Sequence, residues 1–365
     1  MNIQEAIDVF ERWAKPSFAV EGDRIGLQIG DSSRKLTGIL VTLDVTKDVV
    51  AEAVQCGANL IIAHHPFIFQ PIKNVHTSTY RGGLLASLLA NDLSVYVAHT
   101  NLDIVQGGVN DMMAEALGLI NSQVLVSTKT EALHKLIVYT PETHSEAVHQ
   151  AMGQAGAGSL GHYRDCAFST KGIGMFRPDK EATPYLGKEG VLERVDEIRL
   201  EVVVEEGDIE NVLTAARQVH PYEEMAYDLI RMDIPGKEYG LGRIGTLPAP
   251  MTLKSFADLV KKSFDVPFVR IIGNEDQPVE RVAVLGGDGN KYVSAAQKQG
   301  ADVFVTGDLY FHIAQDAMYE GLMLIDPGHH AEKIMKQGVV DVLRKKLPHV
   351  KMYASQLSSE PFKLG

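Results

Sequence analysis

Residues 61–67 have the sequence IIAHHPF, in which a short apolar run ends at two adjacent histidines, His64 and His65. Pro66 follows them, and proline lacks the backbone N–H that a continuing strand would use. Neutral imidazole is the commonest metal-binding side chain in proteins. The stretch therefore predicts a buried strand that ends at a candidate metal site, although histidine pairs also occur without any ligand.

The neighbouring predicted strands also end in polar side chains. Residues 37–43 form a buried strand that ends at Asp44, and residues 94–98 form another that ends at His99, with Asp103 just beyond. Strands that are apolar throughout and alternate with helices are typical of a mostly parallel sheet. Functional groups collect beyond the carboxyl ends of such strands, which is where these polar residues lie.

The same pattern returns near the end of the chain, where three more strands are predicted: residues 281–285, 302–306 and 322–325. The last of them leads to Asp326 and then to His329 and Glu332, in the first turn of a long helix. Residues 1–127 and 245–365 are therefore predicted to form one α/β domain. Its expected architecture is a three-layer, mostly parallel sheet with helices on both faces.

Residues 128–244 interrupt this pattern and are predicted to form an inserted domain. Their order, strand-helix-strand-strand-helix-strand, is typical of an α+β split ferredoxin-like unit. Two polar motifs occur in it, GHY at residues 161–163 and HPYEE at residues 220–224. We interpret them as a turn and a strand edge, with a second ligand site as the alternative.

Composition narrows the function classes. The chain has 365 residues and a formal net charge of -12, which argues against nucleic acid as a partner. Cys56 and Cys166 lie far apart and suggest no disulfide framework. No apolar run is long enough to cross a membrane, and residues 1–5 do not resemble a signal peptide. A cytoplasmic protein is expected.

Five side chains could hold two metal ions. Successive strand residues point to opposite faces, so His64 and His65 suit two neighbouring ions better than one. His329 and Glu332 are three residues apart and share a helix face, and Asp103 adds a carboxylate from a loop. If one carboxylate bridges, this set leaves open positions, as catalytic sites do. Two metals about 3.5–4 Å apart would activate a shared water and stabilise an oxyanion.

Other polar residues at the strand ends allow more than one interpretation. His99 is a ligand, a residue that orients a ligand, or a loop cap, and His312 lines the pocket or caps a helix. His330 is interpreted as a residue that points elsewhere on the helix and binds no metal, with a ligand as the alternative. The glycine-rich turn at residues 286–289 cradles a phosphate or is simply a tight turn. Three aspartates are interpreted as helix caps or loop residues rather than catalytic groups: Asp44, Asp308 and Asp326.

Together these motifs resemble the NIF-three-like family, also called GTP cyclohydrolase I type 2 homologs. The resemblance rests on IIAHHP at residues 61–66 and VAHTNLD at residues 97–103, then on Asp308 with His312 and on His329 with Glu332. The insert is similar to the PII/CutA-like domain of the longer bacterial members. It carries GHY, FSTKG at residues 168–172 and HPYEE, and GLGRIG at residues 240–245 resembles the family's return segment.

This resemblance implies a dinuclear divalent-metal site and a toroidal homohexamer. Carried over position by position, the ligands are His64, His65, Asp103, His329 and Glu332, with Glu332 bridging. There are two departures from the family's pattern. Family members often have Asp-Asn where this chain has Asp23-Arg24, which places a cation near the expected pocket rim. Many also space the last histidine and glutamate by four residues rather than three.

The leading hypothesis is a metal-dependent hydrolase of the GTP cyclohydrolase I type 2 kind, acting on a nucleotide or another small substrate. His99 or His312 would transfer protons, and the ligand set suits zinc, iron or manganese. No basic phosphate-binding motif accompanies the ligands. The alternative is a non-catalytic, metal-dependent regulatory or assembly protein whose insert senses a small ligand or partner.

Overall fold

The computed structural model describes residues 1–363, which divide into two compact units. We call residues 1–129 together with residues 239–363 the discontinuous unit, and residues 130–238 the inserted unit. The sequence pattern predicts the insert at residues 128–244. Within the described part of the chain, no helix combines the length and apolar character needed to cross a bilayer.

The elements are numbered in chain order. The helices are α1 Ile3–Glu11, α2 Lys47–Cys56, α3 Tyr80–Ala90, α4 Thr100–Ile104, α5 Val109–Ala116, α6 Ser145–Gln154, α7 Ile209–Val219, α8 Leu253–Ser263, α9 Val293–Lys298, α10 Phe311–Tyr319 and α11 Met335–Lys346. The strands are β1 Gly26–Ile29, β2 Ile39–Thr42, β3 Leu60–Ala63, β4 Ser94–Val97, β5 Ile120–Pro141, β6 Ala167–Phe176, β7 Glu193–Glu205, β8 Tyr227–Thr252, β9 Arg270–Ile272, β10 Pro278–Asp288, β11 Val303–Gly307, β12 Met323–Asp326 and β13 Met352–Ala354. A 3₁₀ turn, His329–Ile334, precedes α11.

The first sheet of the discontinuous unit has the strand order β1-β4-β3-β2-β13. All of its pairs are parallel except that of β1 with β4. β2, β3 and β4 are buried along their whole length, as expected for parallel strands covered on both faces. The register pairs Thr42 with Ala63 and Ala63 with Val97. These strands therefore end side by side, and the residues after them leave the same edge of the sheet.

The second sheet of the discontinuous unit has the order β8-β10-β11-β12-β9. β10, β11 and β12 are parallel, whereas β8 and β9 are antiparallel to their neighbours. The α/β class is thus confirmed, but the expected single, mostly parallel sheet is corrected to two mixed sheets. Apolar periodicity identifies a strand without identifying the strands that pair with it.

Helix α1 supports the loop that follows β4. Asn2 caps the helix by accepting a hydrogen bond from the backbone of its first turn. The ring of Phe10 packs edge-on against Tyr96 of β4, with centroids 5.6 Å apart. Just beyond β4, the buried Asn101 donates to the carbonyl oxygen of Ala14 at 2.9 Å. This packing positions the segment that carries His99 and Asp103.

In the inserted unit, β7 pairs antiparallel with both β5 and β6, and the strand order is β6-β7-β5-β8. Side chains of β7 alternate in burial, with Ile198, Leu200, Val202 and Val204 buried. These residues form a core with apolar side chains of α6 and α7, such as Leu213. The alternating pattern at residues 197–204 thus corresponds to a half-buried strand.

Candidate metal centre

The five predicted metal ligands meet in one cluster of the discontinuous unit. His64 and His65 follow β3, Asp103 lies in α4, and the other two residues lie in the 3₁₀ turn after β12. Residues three apart in a 3₁₀ helix eclipse one another, so His329 and Glu332 point to the same side. The spacing of three between these two residues therefore suits this turn.

The carboxylate of Glu332, a residue only 3% exposed, occupies the middle of the cluster. Its Oε2 lies 3.1 Å from Nε2 of His65 and 3.3 Å from Nε2 of His329. Its Oε1 lies 3.7 Å from Nε2 of His64, which is itself 3.5 Å from Oδ1 of Asp103. Glu332 thus separates two groups of side chains, one on each of its oxygens.

Each of the three histidines is held by its other ring nitrogen. Nδ1 of His64 lies 2.8 Å from the carbonyl oxygen of Ala98, and Nδ1 of His65 lies 2.8 Å from Oδ1 of Asp44. Nδ1 of His329 lies 2.7 Å from Oδ2 of Asp308. Because these acceptors take the Nδ1 proton, each ring would present the lone pair of Nε2 to the cluster once a metal ion displaces the second proton. Such outer hydrogen bonds usually orient metal-binding histidines.

Asp44 and Asp308 thus contact the candidate ligands His65 and His329, a role that the interpretation of these aspartates as caps or loop residues did not include. The signal was their position, since each follows a buried strand as His64 does. Asp326 does match the structural interpretation. It accepts hydrogen bonds from the backbone nitrogens of Leu309 at 3.0 Å and Gly328 at 2.7 Å, and it pairs with Arg270.

His99 is also near the cluster and is oriented by Asp23. Its ring centroid lies 5.2 Å from that of His64, and its Nδ1 lies 2.8 Å from Oδ1 of Asp23. The other oxygen of Asp23 accepts from the backbone nitrogen of Thr100 at 3.0 Å. Burial raises the pKa of Asp23, but the bonds to His99 and Thr100 outweigh it and hold the pKa far below its usual range.

Charged neighbours and burial shift the pKa values of the side chains in the cluster. Burial lowers the pKa of His65, but Asp44 and Glu332 raise it to about 10. The Glu332 carboxylate is the main reason that the pKa of His329 rises to about 9. Burial, together with the nearby Glu332, raises the pKa of Asp103 to about 6. Without a metal, the raised pKa values therefore favour the protonated rings of His65 and His329 at neutral pH.

The cluster fits a divalent metal ion. Nε2 of His64 and Oδ1 of Asp103 are both buried and have no hydrogen-bond partner in the described structure. Leaving such a group without a partner costs about 1–3 kcal/mol, which a metal ion between them would offset. One ligand atom each from His64, His65 and Glu332 lie within 4.8 Å of one another. Mixed imidazole and carboxylate donors suit zinc, iron or manganese.

The glycine-rich turn after β10 makes room for the ligands. A Cβ added at Gly286 would lie 2.7 Å from Oε1 of Glu332, and one at Gly287 would lie 3.4 Å from Nε2 of His329. Gly287 also has a φ of +63°, which favours glycine. Asn110 donates to the backbone oxygen of Asp103 and accepts from the nitrogen of Gly286. These contacts account for the glycines of the turn, so a bound phosphate is not needed to explain them.

A cavity of about 1060 Å3 adjoins the cluster. His65, His99 and His329 line it on the cluster side. Its other walls include four aromatic side chains and two cationic ones: Phe69, Tyr80, Phe268, Phe362, Arg270 and Lys363. Four carboxylates line it as well: Asp44, Asp308, Asp326 and Glu360. The cavity therefore offers flat apolar surface and charged groups of both signs next to the candidate metal ligands.

Two further histidines lie outside the cluster. His312 is exposed on α10 and does not line the cavity in the described structure, so its role in proton transfer stays a prediction. His330 is buried, and its Nε2 lies 3.2 Å from Oγ of Ser358. Arg24, expected near the pocket rim, is likewise not among the residues that line this cavity.

Comparisons with known proteins give consistent matches over the whole chain. A model of the family described as Duf34/NIF3 (NGG1p interacting factor 3) matches residues 1–361. A Bacillus subtilis protein named GTP cyclohydrolase 1 type 2 homolog is 49% identical, covering 99% of this chain and 98% of that protein. A protein of the same name from Listeria monocytogenes is 40% identical, with the same coverage.

Solved structures agree with the sequence matches. The crystal structure of a Bacillus cereus protein related to NIF3 superposes with a TM-score of 0.94 at 47% identity, covering 100% of this chain and 99% of that one. The Staphylococcus aureus protein SA1388 superposes with a TM-score of 0.74 at 31% identity, with the same coverage. These relatives therefore share the fold and the length of the described chain.

Proposed function

The chain belongs to the Duf34/NIF3 family, as its motifs predict, and from this membership we propose that it is a dinuclear, metal-dependent hydrolase acting on a small substrate. One observation carries the proposal. The two oxygens of Glu332 face different partners, His64 with Asp103 on one side and His65 with His329 on the other. This division supports one metal ion on each side, with Glu332 bridging them.

Divalent metals held in this way supply Lewis acidity and lower the pKa of nearby water. The protein's own contribution is orientation. Asp44 and Asp308 fix the rings of His65 and His329, so that the Nε2 atoms do not have to reorganise when a metal binds. The Gly286 turn keeps the Glu332 carboxylate free of steric overlap.

We assign proton transfer to His99. Its Nδ1 is held by Asp23, so Nε2 is the atom left to give or take a proton, and the side chain lines the cavity. An imidazole fixed in this way can take a proton at Nε2 as a general base and return it as a general acid. Because its ring packs edge-on against His64, a reacting group at the cluster would be within its reach.

The substrate that we propose is a nucleotide or a similar planar molecule. The name shared by several relatives, GTP cyclohydrolase 1 type 2 homolog, favours this class of substrate. Aromatic side chains such as Phe69 and Phe268 line the cavity and offer surfaces on which a base could stack, and Arg270 offers a positive charge. Arg270 is partly neutralised by Asp326, which limits how strongly it would hold a triphosphate.

The test combines metal analysis with a substrate screen. Protein purified from native cells would be analysed for zinc, iron and manganese, and two metal ions per chain are expected. The loaded protein would then be screened against nucleotides, phosphoesters and cyclic amides. If no compound is turned over by protein with a demonstrably full site, the hydrolase proposal fails while the metal site stands.

In that case the second candidate applies, a non-catalytic, metal-dependent regulatory or assembly protein. A separate cavity in the inserted unit favours it.

We also propose that the inserted unit is ferredoxin-like, because its strand order is β6-β7-β5-β8. We propose as well that the protein is cytoplasmic. The homohexamer that the resemblance implies is supported by exposed apolar side chains on α10, Phe311 and Tyr319. Light scattering would test the assembly.

A further inference from the structure

The inserted unit contains a cavity of about 270 Å3 that is built only from its own residues. Three aromatic side chains line it, Phe176 at the end of β6, Tyr185 in the following loop and Tyr222 after α7. The centroid of Tyr222 lies 5.8 Å from that of Phe176 and 6.3 Å from that of Tyr185. The rings are tilted by 59° and 47°, so their faces turn towards different sides of the cavity.

Carboxylates dominate the charge of the same cavity. Glu197, Glu223 and Glu224 line it, whereas Arg177 is the one cationic side chain among its lining residues. Arg177 is already engaged, since it donates to the backbone oxygen of Gly190 at 3.0 Å. The cavity is therefore negatively charged at neutral pH, and it would favour a positively charged occupant.

Two glutamates are held in place by the backbone around them. Oε1 of Glu223 accepts a hydrogen bond from the backbone nitrogen of Thr183 at 2.9 Å, which fixes the loop that carries Tyr185. The Glu197 carboxylate occupies the space beside Gly174, where a Cβ would overlap it. No ion pair joins either carboxylate to a lysine or arginine in the described structure, so both are available to a cationic ligand.

The hydroxyl group of Tyr222 is a further polar group of this cavity. Its hydroxyl oxygen is buried and has no hydrogen-bond partner of good geometry within residues 1–363. Burial raises the pKa of Tyr222 above its usual range, and so does the Glu197 carboxylate, which is near enough to attract the phenol proton. The phenol therefore stays neutral, and its oxygen is left to accept. A neutral phenol oxygen can accept a hydrogen bond, and a ligand with N–H groups would supply one.

A metal ion is a poorer occupant than an organic cation. Among the described residues, the group of three metal-ligating side chains with atoms within 4.8 Å of one another is His64, His65 and Glu332. The glutamates of this cavity form no such group. Aromatic faces beside carboxylates are instead the arrangement that attracts ammonium and guanidinium groups.

We propose that this cavity binds a small organic cation that carries N–H donors, an alkylamine or an alkylguanidinium. The charge would lie between the aromatic rings and Glu197, with an N–H directed at the hydroxyl oxygen of Tyr222. The volume, near the lower end of the range for ligand pockets, limits the ligand to a small molecule. The HPYEE motif at residues 220–224 thus belongs to a second ligand site, which is independent of the metal centre's activity.

The experiment is isothermal titration of the full-length, metal-loaded protein with butylguanidinium, butylamine and the neutral butylurea. Butylurea has nearly the shape of butylguanidinium but no charge. One cation is expected to bind per inserted unit, and butylurea should bind at least about tenfold more weakly. Glu197→Gln should weaken cation binding by about tenfold, and Tyr222→Phe should weaken it while leaving the aromatic wall.

The matched control is Glu210→Gln, which removes the charge of an exposed glutamate on α7 outside the cavity. It should leave cation binding unchanged. Equal affinity for butylurea and butylguanidinium would overturn the proposal, as would equal effects of Glu197→Gln and Glu210→Gln. Absence of binding by both cations at millimolar concentration would also overturn it. Circular dichroism and unchanged metal content would establish that each variant is folded.

Discussion

The metal centre and the cavity of the inserted unit hold their carboxylates in opposite ways. At the metal centre, Glu332 is buried and surrounded by three imidazoles, and each imidazole has its own outer acceptor. In the inserted unit, Glu197 is half-buried and faces aromatic rings. In both proposals the neighbours of the carboxylates, rather than their number, decide which cation the site would hold.

The largest expected effect is at the centre of the cluster. Glu332→Gln keeps the size of the side chain but removes the charge that would bridge two metals, so bound metal should fall to near zero. His65→Ala should lose most of the metal as well. Metal content would be measured by plasma emission spectrometry after gel filtration.

The control for Glu332→Gln and His65→Ala is a variant in the inserted unit. His220 bonds to the backbone oxygen of Tyr139 at 2.9 Å and is remote in sequence from the ligands. His220→Ala should leave metal content unchanged. Equal metal content in all three variants would refute the ligand assignment.

The outer carboxylates should have a smaller effect. Asp44→Asn and Asp308→Asn keep a hydrogen-bond acceptor beside His65 and His329 but remove its charge. We expect metal affinity to fall by about 10–100-fold in each, with two ions still bound at saturation. Competition with a chromogenic chelator would measure this. Unchanged affinity would mean that these aspartates are only loop residues.

The pH dependence distinguishes the metal-free from the metal-loaded protein. In the metal-free protein the pKa of His65 is raised from 6.5 to about 10, and that of His329 to about 9. The stability that these protonated rings contribute is full below pH 6.5 and is lost as the pH rises through 9 and 10. Metal binding needs the neutral rings and strengthens over the same range.

The gain in Tm on adding stoichiometric metal should therefore increase between pH 6.5 and pH 9. Paired thermal melts with metal and with chelator would measure it. A gain that is constant or shrinks with pH would contradict the assignment of these rings as ligands.

The smallest expected effect concerns the stability of the inserted unit. Tyr185 is 53% exposed, so Tyr185→Ala should lower the free energy of unfolding by about 1 kcal/mol or less. Leu213 is 2% exposed in the core of the same unit, and Leu213→Ala should cost about 2–5 kcal/mol. Urea denaturation would compare them. Similar losses would show that Tyr185 serves the fold rather than a ligand.

That the five candidate ligands lie close together was predictable from the sequence, because they follow apolar strands whose carboxyl ends meet at a sheet edge. The pairs of His64 with His65 and of His329 with Glu332 are local patterns. Hydrogen bonds between residues far apart in the sequence could not be predicted from local patterns. The position of Asp44 and Asp308 after buried strands placed them at the right sheet edge, but it did not show that each carboxylate holds a histidine 21 residues further along the chain.

The same limit applies to the sheets and the inserted unit. Edge strands such as β1 and β9 are only four and three residues long, too short for periodicity to identify or to orient. The cavity of the inserted unit combines Phe176, Glu197 and Tyr222 from three separate elements. The HPYEE motif alone therefore supported a turn as well as a ligand site.

The contact between His65 and Glu332 joins residues 267 positions apart in the chain. A ribosome adding about 5–20 residues per second would need roughly 13–50 s to produce Glu332 after His65. During that interval only His64, His65 and Asp103 of the five candidate ligands have been made. At the metal site that we propose, stable loading would therefore be a late event in biosynthesis, and a chain that stops before residue 329 would lack two of the five candidate ligands.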